Sequence, residues 1–336
     1  MNVVSNAPAS AASAAPLAFR RERLAVGASA SASLGGRLLG DAAGALQAPL
    51  LAPAGAVFDG WGGAPLQRGR HGCVAWASDG HWLHGTAEID ERGPGLEAAA
   101  HRAYLDVFEV LAGSGCPHLL RLWNYLADIN AEAGGSERYK QFNAGRQRAF
   151  VEARRSAFEG APAACALGTR SGPLIVQFLA GRTPPLAIEN PRQVSAYRYP
   201  DTYGPRSPTF SRAALADAGG GRRVLFISGT ASIVGHATVH AGDVRRQTGE
   251  SLLNIETLCR VAAESTGAAV AMGELVFTVY VRHAADLASV REVFEQTVGA
   301  ESRAAREAVW LQADICRADL LVEIEAHGFA TQVSNP

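Results

Sequence analysis

The order of elements in the second half of the chain constrains the fold most. The run Arg222–Gly229, RRVLFISG, is short, apolar and ends in glycine, as strands do. From Val244 onward apolar residues recur at Val244, Leu252, Ile255, Cys259 and Ala262, which is helical spacing, with Asp243 placed to cap the start. ELVFTVYVR is rich in β-branched and aromatic residues and predicts a strand. DLASVREVFEQTVG puts Leu287, Val290 and Phe294 on one helical face behind a capping Asp286. AVWLQADIC and DLLVEIEAHG predict two closing strands. Strand, helix, strand, helix, strand, strand is an α+β unit whose helices can cover only one face of the sheet.

The first half runs in a similar order. GCVAWASDGHWLHGTAEI predicts a hairpin around Asp79-Gly80. A helix near GLEAAAHRAYLDVFEVLAGSG follows, then a strand HLLRLWNYLADI, a helix SERYKQFNAGRQRAFVEA, and strands ACALGTR and PLIVQFLAG. The chain thus divides into a leader over residues 1–20, a first α+β domain over 21–190 and a second over 191–332. AGGGRR lacks the lysine and hydroxyl of a phosphate loop, and no GxGxxG opens a helix after a strand.

Composition narrows the partners. The 336 residues carry a net charge of -1, whereas general nucleic-acid binding wants a basic surface. No apolar run approaches the length of a membrane span. The Ala/Ser-rich start has no basic residues ahead of its weak apolar part, so it predicts a disordered leader and not a signal peptide. Five scattered cysteines with no CxxC pair suit a reduced, cytoplasmic protein.

Between the halves lies AYRYPDTYGPRSPTFSRA, Ala196 to Ala213, where three Tyr, three Arg and a Phe crowd around three Pro. Guanidiniums bind carboxylates bidentately and phenols add single hydrogen bonds. Prolines lower the entropy lost when a loop orders around a ligand. The bland alternative is a stiff linker whose aromatics pack between domains.

Several segments resemble the Rid (YjgF) superfamily. They are HLLRLWNYLADIN, SGTASIVGHATVHAGDVRRQTGESLLNIETL and LQADICRADLLVEIEA, with Gly242, Asp243, Gln247, Asn254 and Glu323-Ile324-Glu325-Ala326 in its pattern. The doubled length and the YRYPDTYGPRSP linker resemble, more narrowly, the chorismatase family, over roughly residues 20 to 330. The resemblance implies two Rid-like domains with mixed sheets and helices on one face, the two together in one chain acting as a monomer. It implies a chemistry, the removal of pyruvate from chorismate without metal or organic cofactor. No membrane or nucleic-acid partner is implied.

Chorismate has two separated carboxylates. Tyr199, Tyr203 and Arg206 are the candidate clamp, and Arg306 lies near the place where Rid proteins carry a carboxylate-binding arginine, with Arg303 in competition. Alternation puts Glu323 and Glu325 on one strand face. A carboxyl buried in an apolar cleft holds its proton more tightly, as a general acid must. The resemblance assigns Glu323 that role, protonating the enolpyruvyl methylene, and leaves Glu325 a supporting one. The family divides by whether water or the substrate's own ring hydroxyl then attacks. Gly229 and Cys316 resemble the determinants of the 3-hydroxybenzoate-forming type and are expected to shape a dry pocket around the ring. Their alternatives are a backbone requirement and a small buried hydrophobe.

Three other outcomes stay open: a mixture of 3- and 4-hydroxybenzoate or hydrolysis to a diol, a Rid-type imine hydrolase, and a non-catalytic binder of aromatic acids. His236 and His240 have a metal-ligand spacing but no evident third ligand, so no metal is expected. Arg146, on a predicted helix, could reach the cleft, but an exposed or interdomain place is expected for it.

Overall fold

The computed structural model describes residues 15–25 and 28–332. Of the predicted leader, residues 1–14 lie outside the described residues. The rest corrects its boundary: Leu17 is buried and Phe19–Leu24 is a strand, because Leu17 and Phe19 pack into the core.

Two mixed sheets dominate. The first has seven strands in the order Asp314–Ile315, Ala163–Thr169, His118–Ala127, Leu174–Gly181, Trp82–Ile89, Val74–Ser78 and Gln67–His71. The second runs Leu186–Ile188, Ala213–Gly219, Arg222–Ala231, Val322–Gln332, Val276–Val281, Val309–Gln312 and Leu50–Ala52, with Ala268–Ala269 pairing off this path. In each, a hairpin is followed by the last long strand of that half, then by a parallel pair. The likeness of element order is therefore a likeness of topology. Two short strands cross over: Leu50–Ala52 joins the second sheet and Asp314–Ile315 joins the first. Leu186–Ile188, ahead of the boundary drawn at 190, already pairs with the second sheet.

Each sheet has helices on one face. Helices α1 (Leu96–Gly113) and α2 (Arg138–Glu152) share a buried cluster with the first sheet. Helices α3 (Val244–Thr266) and α4 (Leu287–Val298) do so with the second. The bare faces meet. On strand Arg222–Ala231, Leu225 and Ile227 point to the helices, while Val224 and Phe226 join Trp61 and Trp123 between the sheets. The α+β class with helices on one face of mixed sheets is the one expected, and the layers run helix, sheet, sheet, helix.

Local chemistry explains the ends. Asp243 accepts a hydrogen bond from the Arg246 N–H at 3.0 Å, as a capping residue should. Asp286 precedes α4 but makes no side-chain capping bond, because its own backbone is already helical. A third sheet of Phe19–Leu24, Ala56–Trp61 and Gly35–Gly40 escapes the periodicity argument, since its strands are short, the outer two are only partly buried and the middle one is buried almost throughout, so none alternates cleanly.

Candidate active site

Strand Val322–Gln332 sends Val322, Ile324 and Ala326 toward the helices. Alternation therefore turns Glu323 and Glu325 into the space between the sheets, where both are buried. Their surroundings differ. Glu325 forms ion pairs with Arg37 and Arg121 and accepts a hydrogen bond from Tyr280 Oη at 3.1 Å. Arg37 also bonds Asp59 at 2.9 Å, and Asp59 pairs with Arg21 at 2.7 Å. Burial alone would raise Glu325, but the two arginines hold its carboxyl down at about 2. Glu323 has no ion-pair partner among the described residues. Burial, with the Glu325 anion nearby, pushes it up to about 8, and Arg121 only partly opposes this. One carboxyl is thus a fixed anion and its neighbour a proton donor at neutral pH.

The Glu323 carboxyl occupies space that Gly229 leaves open. Strand Arg222–Ala231 is irregular between Ile227 and Thr230, and a Cβ on Gly229 would stand 1.9 Å from Glu323 Oε1 and 2.9 Å from Cys165 Cβ. Gly229 is required by this close approach. Gly229 was expected at the wall of the ring pocket, and its position there also makes room for the Glu323 carboxyl. On the other side Cys316 Sγ lies 4.0 Å from Glu323 Oε2, and burial pushes the thiol up to about 12. Cys316 is therefore a neutral, apolar wall.

Glu323, Gly229 and Cys316 close the inner end of a cleft of about 360 Å³. Its walls include Tyr139, Tyr199, Tyr203, Phe210, Arg212 and Arg317. A smaller chamber of about 30 Å³ continues past Glu323 to Arg146 and Cys165. Arg212 is buried and donates from Nη2 to Tyr199 Oη and to the Val194 carbonyl, both at 2.7 Å. Arg317 stacks 3.9 Å over the Tyr203 ring and donates to the His236 carbonyl at 2.9 Å. Arg146 is buried, bonded to Asn143 Oδ1 at 2.8 Å, and has no partner for its Nε among the described residues.

Two arginine expectations are corrected. Arg206 is exposed on the outside of the loop, in a groove with Gln147 and Arg148 of α2. Arg306 is exposed on a short helix α5 (Arg303–Glu307), where it bonds the Glu301 carbonyl, and Arg303 pairs with Glu307 at 3.0 Å. Neither α5 arginine lines the cleft. Arg146 is not exposed but interdomain: it is buried on α2 and lines the small chamber between Cys165 of the first domain and Gly229, Cys316 and Glu323 of the second.

Tyr199 and Tyr203 do line the cleft. Arg212, in the same loop, was passed over for Arg206. The start of strand Ala213–Gly219 was the missed signal, since an arginine fixed at a strand end is held more firmly than one among prolines. Arg317 follows Cys316 and was equally legible.

The shared motif residues hold the walls in place. Gln247 donates to the Asp319 carbonyl at 2.9 Å and accepts from the Leu321 N–H at 2.7 Å, fixing the turn after Cys316. Asn254 donates to the carbonyls of Ala231 and Ile233. His240 faces Glu250 at 3.5 Å and His236 faces Tyr203, so the two imidazoles serve different partners.

A neutral carboxyl at the end of a cleft walled by phenols and guanidiniums defines a site for acid chemistry on a small organic anion. The comparisons agree with that class. Residues 59–180 match the family model described as chorismatase FkbO/Hyg5-like, N-terminal. A 3-hydroxybenzoate synthase of Streptomyces hygroscopicus is 38% identical over 273 residues, covering 78% of each chain. A chorismatase of Streptomyces rapamycinicus is 40% identical over 270 residues, again covering 78% of each. A crystal structure of a chorismatase superposes with a TM-score of 0.82 at 31% identity, covering 94% of this chain and 98% of that one. The chain belongs to the chorismatase family.

Proposed function

We propose that the protein is a chorismate lyase that converts chorismate to 3-hydroxybenzoate and pyruvate, with Glu323 as the acid. The observation that carries this reading is the carboxyl pushed up to about 8 at the closed end of the cleft. Glu323 gives its proton to the methylene carbon of the enolpyruvyl group, and the positive charge settles on the ether carbon and oxygen. The neighbouring ring hydroxyl attacks that carbon. The attacking oxygen gives up its proton and a cyclic ketal forms. The bond from the ring to that oxygen then breaks as the adjacent ring carbon loses its proton and the ring becomes aromatic. The ketal carbon releases the other ring oxygen, which takes up the hydroxyl proton as the phenol, while the attacking oxygen leaves as the keto oxygen of pyruvate. The ring proton returns to the Glu323 carboxylate, so no water is consumed and the acid is restored. Proton transfer suffices for every step, and neither metal nor organic cofactor enters.

Arg146, Arg212 and Arg317 are placed to meet the two substrate carboxylates, and Tyr199 and Tyr203 to hydrogen-bond them. Cys316 and Gly229 keep the wall beside the acid small and dry. We further place the enzyme in the cytoplasm as a monomer: its cysteines are free and one chain supplies both walls of the cleft. No described helix is long and apolar enough to cross a membrane.

The test is incubation of purified protein with chorismate and separation of the products. Equal amounts of pyruvate and 3-hydroxybenzoate support the reading. 4-Hydroxybenzoate, a diol or no turnover counts against it.

A further inference from the structure

The loop that carries Tyr199 and Tyr203 leaves the second sheet after Ile188 and returns at Ala213, and those two residues pair across the ladder. The next residues outward are Glu189 and Arg212, the two feet of the loop. Directly opposed residues of an antiparallel pair point to the same face, with Cβ atoms about 4.5–5.5 Å apart. Both Glu189 carboxylate oxygens are buried without a hydrogen-bond partner among the described residues, and so is Arg212 Nε. A buried carboxylate of this kind is tolerated beside a counter-charge. Arg212 is the cation acting on it, opposing the rise in proton affinity that burial causes, and the hydroxyls of Ser195 and Ser211 lie beside it.

Arg212 is also a wall of the cleft, and its Nη2 is already committed to Tyr199 and Val194 within the loop. Tyr199 in turn lies 5.0 Å beneath the Arg317 guanidinium. The line from Glu189 through Arg212 and Tyr199 to Arg317 therefore runs from the foot of the loop to the cleft mouth. The mechanism above gives Glu189 no part.

We propose that Glu189 is a positioning residue: its charge, set at the foot of the loop, holds Arg212 and through it Tyr199 in the orientation that receives a substrate carboxylate. The proposal rests on the functional reading above. Its action on the Arg212 guanidinium is by charge across a gap, since no ion pair joins the two side chains among the described residues, and a substitution that keeps the shape of the side chain separates this from a merely structural role.

Glu189→Gln keeps the shape and removes the charge, and Glu189→Asp keeps the charge. With chorismate, the Gln variant is expected to raise KM about tenfold or more with kcat within about threefold, and Asp to recover most of the loss. A Gln variant with wild-type KM, or with kcat reduced and KM unchanged, overturns the proposal, whatever its melting temperature does. Wild-type turnover tests the functional reading separately. Calorimetric binding of benzoate gives a readout that needs no turnover: the Gln variant should bind about tenfold more weakly. Equal binding by the two proteins, or no binding by the wild type, removes the carboxylate contact on which the proposal stands.

Discussion

Glu323 Oε1 lies 1.9 Å from the point where a β-carbon on residue 229 would stand, so the carboxyl proposed as the acid fills the space of the side chain that Gly229 lacks. Gly229→Ala must push the carboxyl aside. A displacement near 1 Å costs about 100-fold in a reaction that depends on alignment. Pyruvate and hydroxybenzoate should therefore fall together by about that factor. Continued pyruvate release with hydroxybenzoate alone reduced would mean that residue 229 governs the fate of the ring and not the placement of the acid.

Glu323→Gln removes the donated proton and should lower turnover by about 10²–10⁴-fold while the protein stays folded. The wild type has a pH dependence with a definite sign. The Glu323 pKa is raised to about 8, so the active, protonated form prevails below that pH and is lost as pH rises through it. The same shift contributes stability that is fully present below the ordinary carboxylate range and disappears as pH climbs toward 8. Turnover and thermal melting across that interval check both, and the Gln variant should melt with a flatter pH profile.

Glu325 carries the opposite sign. Its carboxyl is held at about 2 by Arg37 and Arg121, so its contribution to stability is present above the ordinary range and lost as pH falls through 2. Glu325→Gln takes from Arg121 its ion-pair partner among the described residues and leaves Arg37 with Asp59 alone, and should cost about 3–5 kcal/mol in denaturant unfolding. In whatever fraction folds, the loss of the nearby anion should move the alkaline limb of turnover to lower pH. An unmoved limb would show that Glu325 does not influence the acid.

Arg212→Ala should raise the KM for chorismate by the equivalent of about 1.5–3 kcal/mol, the worth of a charged hydrogen bond. Arg206→Ala should leave it unchanged, because Arg206 faces away from the cleft. Steady-state kinetics of the pair decide between the two ends of the loop.

Cys316→Ala opens the wall 4.0 Å from Glu323 without touching the carboxyl. Pyruvate release should continue, with a dihydroxycyclohexadiene carboxylate appearing beside hydroxybenzoate as water reaches the cation. The ratio of the two aromatic and non-aromatic products per pyruvate measures this, and a wild-type ratio would leave Cys316 without control of the branch.

Periodicity made the major strands and helices legible, because each has one face in a core and a regular pattern to show for it. The small sheet of Phe19–Leu24, Gly35–Gly40 and Ala56–Trp61 was not, since its role is to carry Arg21, Arg37 and Asp59 into the space between the sheets. Glu323 and Glu325 could be put on one face by counting. What separates them, an ion pair with Arg37 and Arg121 for one and none for the other, depends on residues 204 to 288 positions away from Glu325. The arginines of the cleft show the same limit. Composition marked the loop, but only the ladder partner of Ala213 tells which of its guanidiniums turns inward.

The exchange of short strands between the sheets has a consequence for synthesis. Strand Val309–Gln312 finds its edge partner, Leu50–Ala52, already made when it emerges. Strand Ala163–Thr169 does not: Leu167 and Gly168 on its outer edge wait for Asp314–Ile315, far later in the chain. Until then the first half presents an unpaired row of backbone donors and acceptors, the kind of edge that recruits other chains. A ribosome stalled before residue 314 would leave a product with a folded helix layer and an adhesive flank. The two halves can thus be told apart on paper, but neither can be finished alone.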